Sequence, residues 1–136
     1  MEYYYTDDER IIANTTPAFH GKNKLPLKQI RIMSDGRVTW KEFWTHDGKF
    51  TESELKETQV SVSIVSELVQ LIKGLRKACE KHPLPIIDDT GSRGINLNLI
   101  NEGVQSYSFP NGGGRKHPAR ERFDNIWSQI QRLTTN

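Results

Sequence analysis

Two stretches of the chain alternate apolar and polar residues on either side of a glycine-containing turn. Leu27–Met33 and Arg37–Trp44 flank Ser34-Asp35-Gly36, and Ile95–Ile100 and Val104–Phe109 flank Asn101-Glu102-Gly103. A period of two marks a half-buried strand. Each turn can close as a two-residue type I′ loop or as a three-residue loop with its glycine left-handed. The choice moves the register by one residue and exchanges the faces. In the first pair, a three-residue loop sets Ile32 opposite Val38, Ile30 opposite Trp40 and Lys28 opposite Glu42, with Gln29, Arg31, Thr39 and Lys41 on the other face. A two-residue loop would set Ile32 against Thr39 and Ile30 against Lys41, so segregation of apolar side chains selects the longer loop. The same test in the second pair selects Asn101-Glu102-Gly103 as the loop. It places Ile95 opposite Phe109, Leu97 opposite Tyr107 and Leu99 beside Gln105, with Asn96, Asn98, Ser106 and Ser108 on the polar face. A third turn, His46-Asp47-Gly48, brings Trp44 opposite Phe50, while Thr51–Gln59 shows little alternation.

From Val62 to Lys81 the spacing becomes helical, through Ile64, Val65, Leu68, Val69, Leu71, Ile72, Leu75 and Cys79. Ser63 is the expected N-cap, and Lys77 and Lys81 complement the C-terminal end of the helix dipole. Gly74 costs this helix roughly 1 kcal/mol relative to alanine, and His82-Pro83-Leu84-Pro85 ends it. A second helix is expected from Pro118, with Phe123, Ile126, Trp127, Ile130 and Leu133 as its buried stripe. Hairpins with one apolar face need a cover, which two amphipathic helices supply. The fold expected is therefore α+β: a two-layer sandwich in ββ(β)-α-ββ-α order, with an antiparallel sheet of about four to six strands and both helices on one face. The length of 136 residues fits a single domain, with a hairpin and helix in 27–82 and another in 83–136. The two halves share no residue pattern beyond the turn. Residues 1–26 are harder to place: Tyr3, Tyr4 and Tyr5 read as an edge strand, Arg10–Ala13 as a second short strand, and Asn14–Lys24 as loop.

Composition narrows the function classes without choosing one. The chain is 35% hydrophobic and 26% charged, with 19 Lys and Arg against 17 Asp and Glu, so its charge favours no polyanionic or polycationic partner. No apolar run is long enough to span a bilayer, and the N-terminal residues do not resemble a secretory leader. The lone Cys79 excludes an internal disulfide framework. These features point to an intracellular, cytoplasmic protein without membrane association.

Ile86-Ile87-Asp88-Asp89-Thr90-Gly91-Ser92 carries an Asp-Thr-Gly triplet after two isoleucines. It resembles the catalytic loop of aspartic proteases, a likeness confined to Asp89-Thr90-Gly91 and its neighbours. The resemblance implies a carboxylate paired with that of a second copy of the motif, either in the chain or in a homodimer; the homodimeric form also needs a glycine-rich flap and a later pair of hydrophobics followed by glycine. The chain after it holds an ordinary hairpin instead, and turn chemistry accounts for the segment. His20, His46, His82 and His117 stand apart, without the spacing of a metal site. Cys79 lies on the apolar stripe of a helix and reads as a small hydrophobe. No metal, cofactor or catalytic constellation is therefore expected.

Asn111–Arg122 stands out chemically. Gly112, Gly113 and Gly114 run into Arg115, Lys116, Arg120 and Arg122 at the start of a helix, where free backbone N–H groups can receive an anion. It lacks the Gly-Lys-Ser/Thr ending of a P-loop, and Arg120 and Arg122 are expected off the buried stripe. The exposed sheet face is expected to be polar, with Phe43 its only aromatic residue, which disfavours base stacking of the RNA-recognition kind. Three consecutive tyrosines cannot all face one core, so at least one of Tyr3, Tyr4 and Tyr5 should be exposed or at an interface. The leading expectation is a non-enzymatic accessory module, of inhibitor or immunity type, that binds another protein. The alternative is binding of an anion, nucleotide or nucleic-acid phosphate through the basic loop.

Overall fold

The structure, a computed structural model, describes residues 9–16, 27–46, 49–85, 91–99, 102–111 and 116–134. These form β1 (Glu9–Thr16), β2 (Leu27–Met33), β3 (Arg37–His46), β4 (Lys49–Glu52), β5 (Lys56–Gln59), α1 (Val62–Glu80), β6 (Ser92–Leu99), β7 (Gly103–Pro110) and α2 (Arg120–Arg132). The strands make one antiparallel sheet in the order β4-β3-β2-β1-β6-β7, with β5 also paired to β3. The sheet is thus six strand positions wide, and the fold is α+β.

The first hairpin has the register its alternation demands: Ile32 pairs with Val38, Ile30 with Trp40 and Lys28 with Glu42. Gly36 closes the three-residue loop at φ +93, and its N–H donates to the Met33 carbonyl at 3.1 Å. The second hairpin differs from expectation. Ile95 pairs with Tyr107 rather than Phe109, and Leu97 with Gln105 rather than Tyr107. The cause is a turn that closes earlier, with the Glu102 N–H donating to the Leu99 carbonyl at 3.2 Å, so that Gly103 (φ +83) opens β7 instead of ending the loop. The register moves by two residues, which changes partners and preserves faces.

The third connection also differs. His46 pairs with Lys49 across Asp47 and Gly48, so Trp44 stands opposite Thr51, not Phe50. Along β3 this ladder gives way to β5, where Trp40 pairs with Lys56. Three residues, 53–55, lie between the paired positions on this edge against two, 41 and 42, on β3, which is a bulge. Ser53 fastens it: its N–H donates to the Glu42 carbonyl at 2.8 Å and its hydroxyl accepts from the Glu42 N–H at 2.9 Å.

The strand expected at Arg10–Ala13 is longer, and it is the centre of the sheet. β1 pairs with β2 on one side and β6 on the other, uniting the two hairpins, and Asn14–Thr16 belong to it rather than to a loop. Both helices cover the same face. Their buried residues Val65, Leu68, Ile72 and Leu75 of α1 and Phe123, Ile126, Trp127 and Ile130 of α2 join Ile11, Ile30, Ile32, Trp40, Ile95, Leu97, Tyr107 and Phe109 in one core. The cap of α1 is Ser61 rather than Ser63: it has extended backbone, and its hydroxyl accepts from the Ile64 N–H, while Ser63 lies in the first turn. α2 begins two residues after Pro118, because the chain first makes a turn in which the Arg120 N–H donates to the His117 carbonyl at 3.0 Å. The run Tyr3–Tyr5 lies outside the described residues.

Candidate functional site

The basic segment before α2 proves to be a clamp as much as a cationic surface. Gly112–Gly114 and Arg115 lie outside the described residues. Lys116 and Arg122 are exposed. Arg120 is not: it is 8% exposed and faces inward, against the expectation that it lies off the buried stripe. The positions 120, 123, 127 and 130 fall on one helical face, and the guanidinium finds fixed acceptors there. Arg120 donates to the Pro110 carbonyl at 2.7 Å, to the Asn111 carbonyl at 3.3 Å and to both oxygens of Asp124 at 3.0 and 3.2 Å. Arg93 on β6 holds the same carboxylate at 2.7 Å and lies 5.7 and 5.8 Å from the ring centroids of Phe123 and Trp127. The two arginines therefore fix α2 to the end of the β6–β7 hairpin.

The helix start is partly satisfied from within as well. The Ala119 N–H donates to His117 Nδ1 at 3.1 Å, which makes Nε2 the protonated nitrogen and the donor to the His82 carbonyl at 3.2 Å. His117 thereby ties the segment after α1 to the start of α2, with Phe109 against its ring. Arg122 sits apart, beside Gly74 of α1, in a small groove between the helices lined also by Gln70, Leu71 and Asn125.

The face of the sheet that the helices do not cover carries the larger concavity. A groove of about 460 Å³ runs over β2, β3 and the bulged edge. Met33, Phe43 and Leu55 supply apolar surface, and Arg31, Arg37, Lys41, Glu52 and Glu57 supply charge. Leu55, in the bulge, is 61% exposed. Lys41 meets Glu52 at 3.0 Å and Arg37 meets Glu57 at 3.7 Å across the rim, and Arg31 lies in the same lining, bonded to Gln29. Both ion pairs are exposed and add little stability. Phe43 and Lys41 were expected on this face from alternation. Leu55 and the acidic rim were not legible, since Thr51–Gln59 does not alternate and the bulge that turns Leu55 outward is a tertiary feature.

Elsewhere this face is a polar ladder, as expected, with the Ser106 hydroxyl bonded to Asn96. Its centre is different. Ile12 stands opposite Arg31 and Asn96 yet is 1% exposed, and the neighbouring Asn14 has a buried side-chain oxygen without a hydrogen-bond partner.

Cys79 packs against the core, and burial pushes its thiol up, opposite to what a nucleophile requires. Among the described residues, no three His, Cys, Asp or Glu side chains are grouped so as to hold a metal ion. Asp88, Asp89 and Thr90 of the protease-like triplet lie outside the described residues. No described helix is long and apolar enough to cross a membrane. The chain matches no known protein-family model and no curated protein.

Proposed function

We propose that the protein is a non-enzymatic binding module of accessory, inhibitor or immunity type, whose protein partner docks in the groove over β2, β3 and the bulged edge. The observation that carries this reading is a groove on the sheet face the helices do not cover, where the apolar side chains of Met33, Phe43 and Leu55 are interspersed with Arg31, Arg37, Lys41, Glu52 and Glu57. Mixed apolar and charged surface of this kind is what non-obligate protein interfaces present. Charges of both signs line the groove, which favours a partner that brings apolar side chains together with complementary charges. A cytoplasmic location suits this role.

Anion or nucleic-acid phosphate binding at the helix start is the competing reading. With Arg120 committed to Pro110, Asn111 and Asp124, its described cations are Lys116 and Arg122.

Affinity capture with three proteins separates the two: wild type, Leu55→Glu, and Lys116→Glu combined with Arg122→Glu. All substituted residues are exposed, so Tm should match. A partner captured by wild type and by the double variant, and lost with Leu55→Glu, supports the groove. Thermal unfolding against phosphate, nucleotides and oligonucleotides completes the test. A ligand at a hundredfold excess over its Kd adds about 2.7 kcal/mol to stability. A salt-sensitive rise in Tm, abolished in the double variant, would favour the anion reading.

A further inference from the structure

The two edges of the sheet are built differently. The β4–β5 edge is broken by the bulge at 53–55 and carries Glu52, Lys56 and Glu57, devices that discourage another strand from pairing there. β7, the opposite edge, has neither charge nor bulge: Gly103-Val104-Gln105-Ser106-Tyr107-Ser108-Phe109-Pro110 is eight residues whose one blunting feature is the terminal Pro110. The Asn111 N–H donates to the Gly91 carbonyl at 2.8 Å, in register with the β6–β7 ladder. Alternation of an antiparallel ladder then points the main-chain groups of Gly103, Gln105, Tyr107 and Phe109 at β6, and those of Val104, Ser106, Ser108 and Pro110 outward. Pro110 has no N–H, and Arg120 takes its carbonyl. Among the described residues no strand pairs with the outer edge of β7, which offers the N–H and C=O groups of Val104, Ser106 and Ser108.

We propose that β7 pairs with β7 of a second copy of this chain, antiparallel about a two-fold axis through Ser106, joining two sheets into one. The three outward residues are symmetric about Ser106. Ser106 meets its own copy, Val104 meets Ser108, and each pair exchanges two main-chain hydrogen bonds, so the patch is self-complementary as a two-fold interface must be. On the helix side the pairing sets Tyr107 opposite Gln105 of the second copy, the partners already bonded within one chain at 3.2 Å. On the open side it sets Val104, 46% exposed, against Ser108. None of the strand residues so paired is charged. This interface is separate from the groove at the other edge and does not depend on it.

Light scattering on size-exclusion chromatography, at hundreds of micromolar protein, tests the proposal. Wild type should run as a dimer. Ser106→Pro removes an outward N–H without touching the β6 ladder, and should run as a folded monomer with a native circular dichroism spectrum. Ser106→Lys and Ser106→Glu each place like charges across the axis, so each should be monomeric alone and dimeric when mixed in equal amounts. That rescue requires residue 106 to face its own copy, so it also distinguishes self-pairing from an edge that takes a strand of another protein. A monomeric wild type, a dimer that survives Ser106→Pro, or charge variants that stay monomeric when mixed would overturn the proposal.

Discussion

Arg120 shows how a side chain of ordinary surface type becomes structural. Its fork reaches a strand-end carbonyl, a loop carbonyl and the Asp124 carboxylate together, which no lysine can reproduce. Arg120→Ala should lower the unfolding free energy by about 2–3 kcal/mol, since it strands a buried acceptor, and Arg120→Lys should recover little of it. Arg122→Ala, on the exposed side, should change stability by no more than about 0.5 kcal/mol. Urea unfolding of the three variants checks the contrast. Titration at the same scale has a defined sign. Burial pushes the Cys79 thiol and the Tyr107 phenol up, so the folded state holds these protons more tightly than the unfolded chain. Their stabilisation is full below the ordinary thiol value of about 8.5 and the phenol value of about 10, and is lost as pH rises through the raised folded values. Lys28 works the other way: desolvation lowers its pKa, so the fold gains as that ammonium deprotonates. Unfolding followed into the alkaline range should decline less steeply in Cys79→Ala than in wild type, and an unchanged slope would contradict this assignment.

At the scale of elements, turn glycines separate into those held by their neighbours and those held only by their own φ. A Cβ on Gly36 would lie 2.1 Å from the Val60 carbonyl oxygen, whereas one on Gly103 would meet nothing within 4 Å. Both have positive φ, so Gly103→Ala should cost about 1 kcal/mol of backbone strain and Gly36→Ala well above that, beyond about 3 kcal/mol if the β3–β5 junction must move. Thermal unfolding of the pair reads the difference. The first hairpin was legible because only one register sorts Ile30, Ile32, Val38 and Trp40 from Arg31 and Lys41. The second was legible in its faces and not its partners: a slip of two residues leaves Ile95, Leu97, Tyr107 and Phe109 on the core side, so alternation is blind to it. The bulged edge left no trace in the pattern, because Ser53 creates it through bonds to Glu42, a residue across the ladder.

At the scale of the whole molecule, the strand that organises the sheet was the least conspicuous in the sequence. Ile11, Ile12 and Ala13 are all buried and give no period of two, which is how a strand covered on both faces reads. Its central place could not be inferred from local spacing, since only the pairings to β2 and β6 establish it. The candidate site was legible in the same uneven way. Phe43, Lys41 and Arg31 were assigned to the open face by alternation, whereas Leu55 reached the groove through the bulge, and Arg120 left the basic surface because Pro110, Asn111 and Asp124 offered it partners. One helix-covered face and a groove on the other are the consequence of this architecture, and binding of a protein in that groove is the central claim. Its most direct test is the Kd of the captured partner for wild type and for Leu55→Glu, measured by isothermal titration. Placing a carboxylate at Leu55, buried against the partner, should weaken binding at least tenfold, about 1.4 kcal/mol. An unchanged Kd would contradict the account.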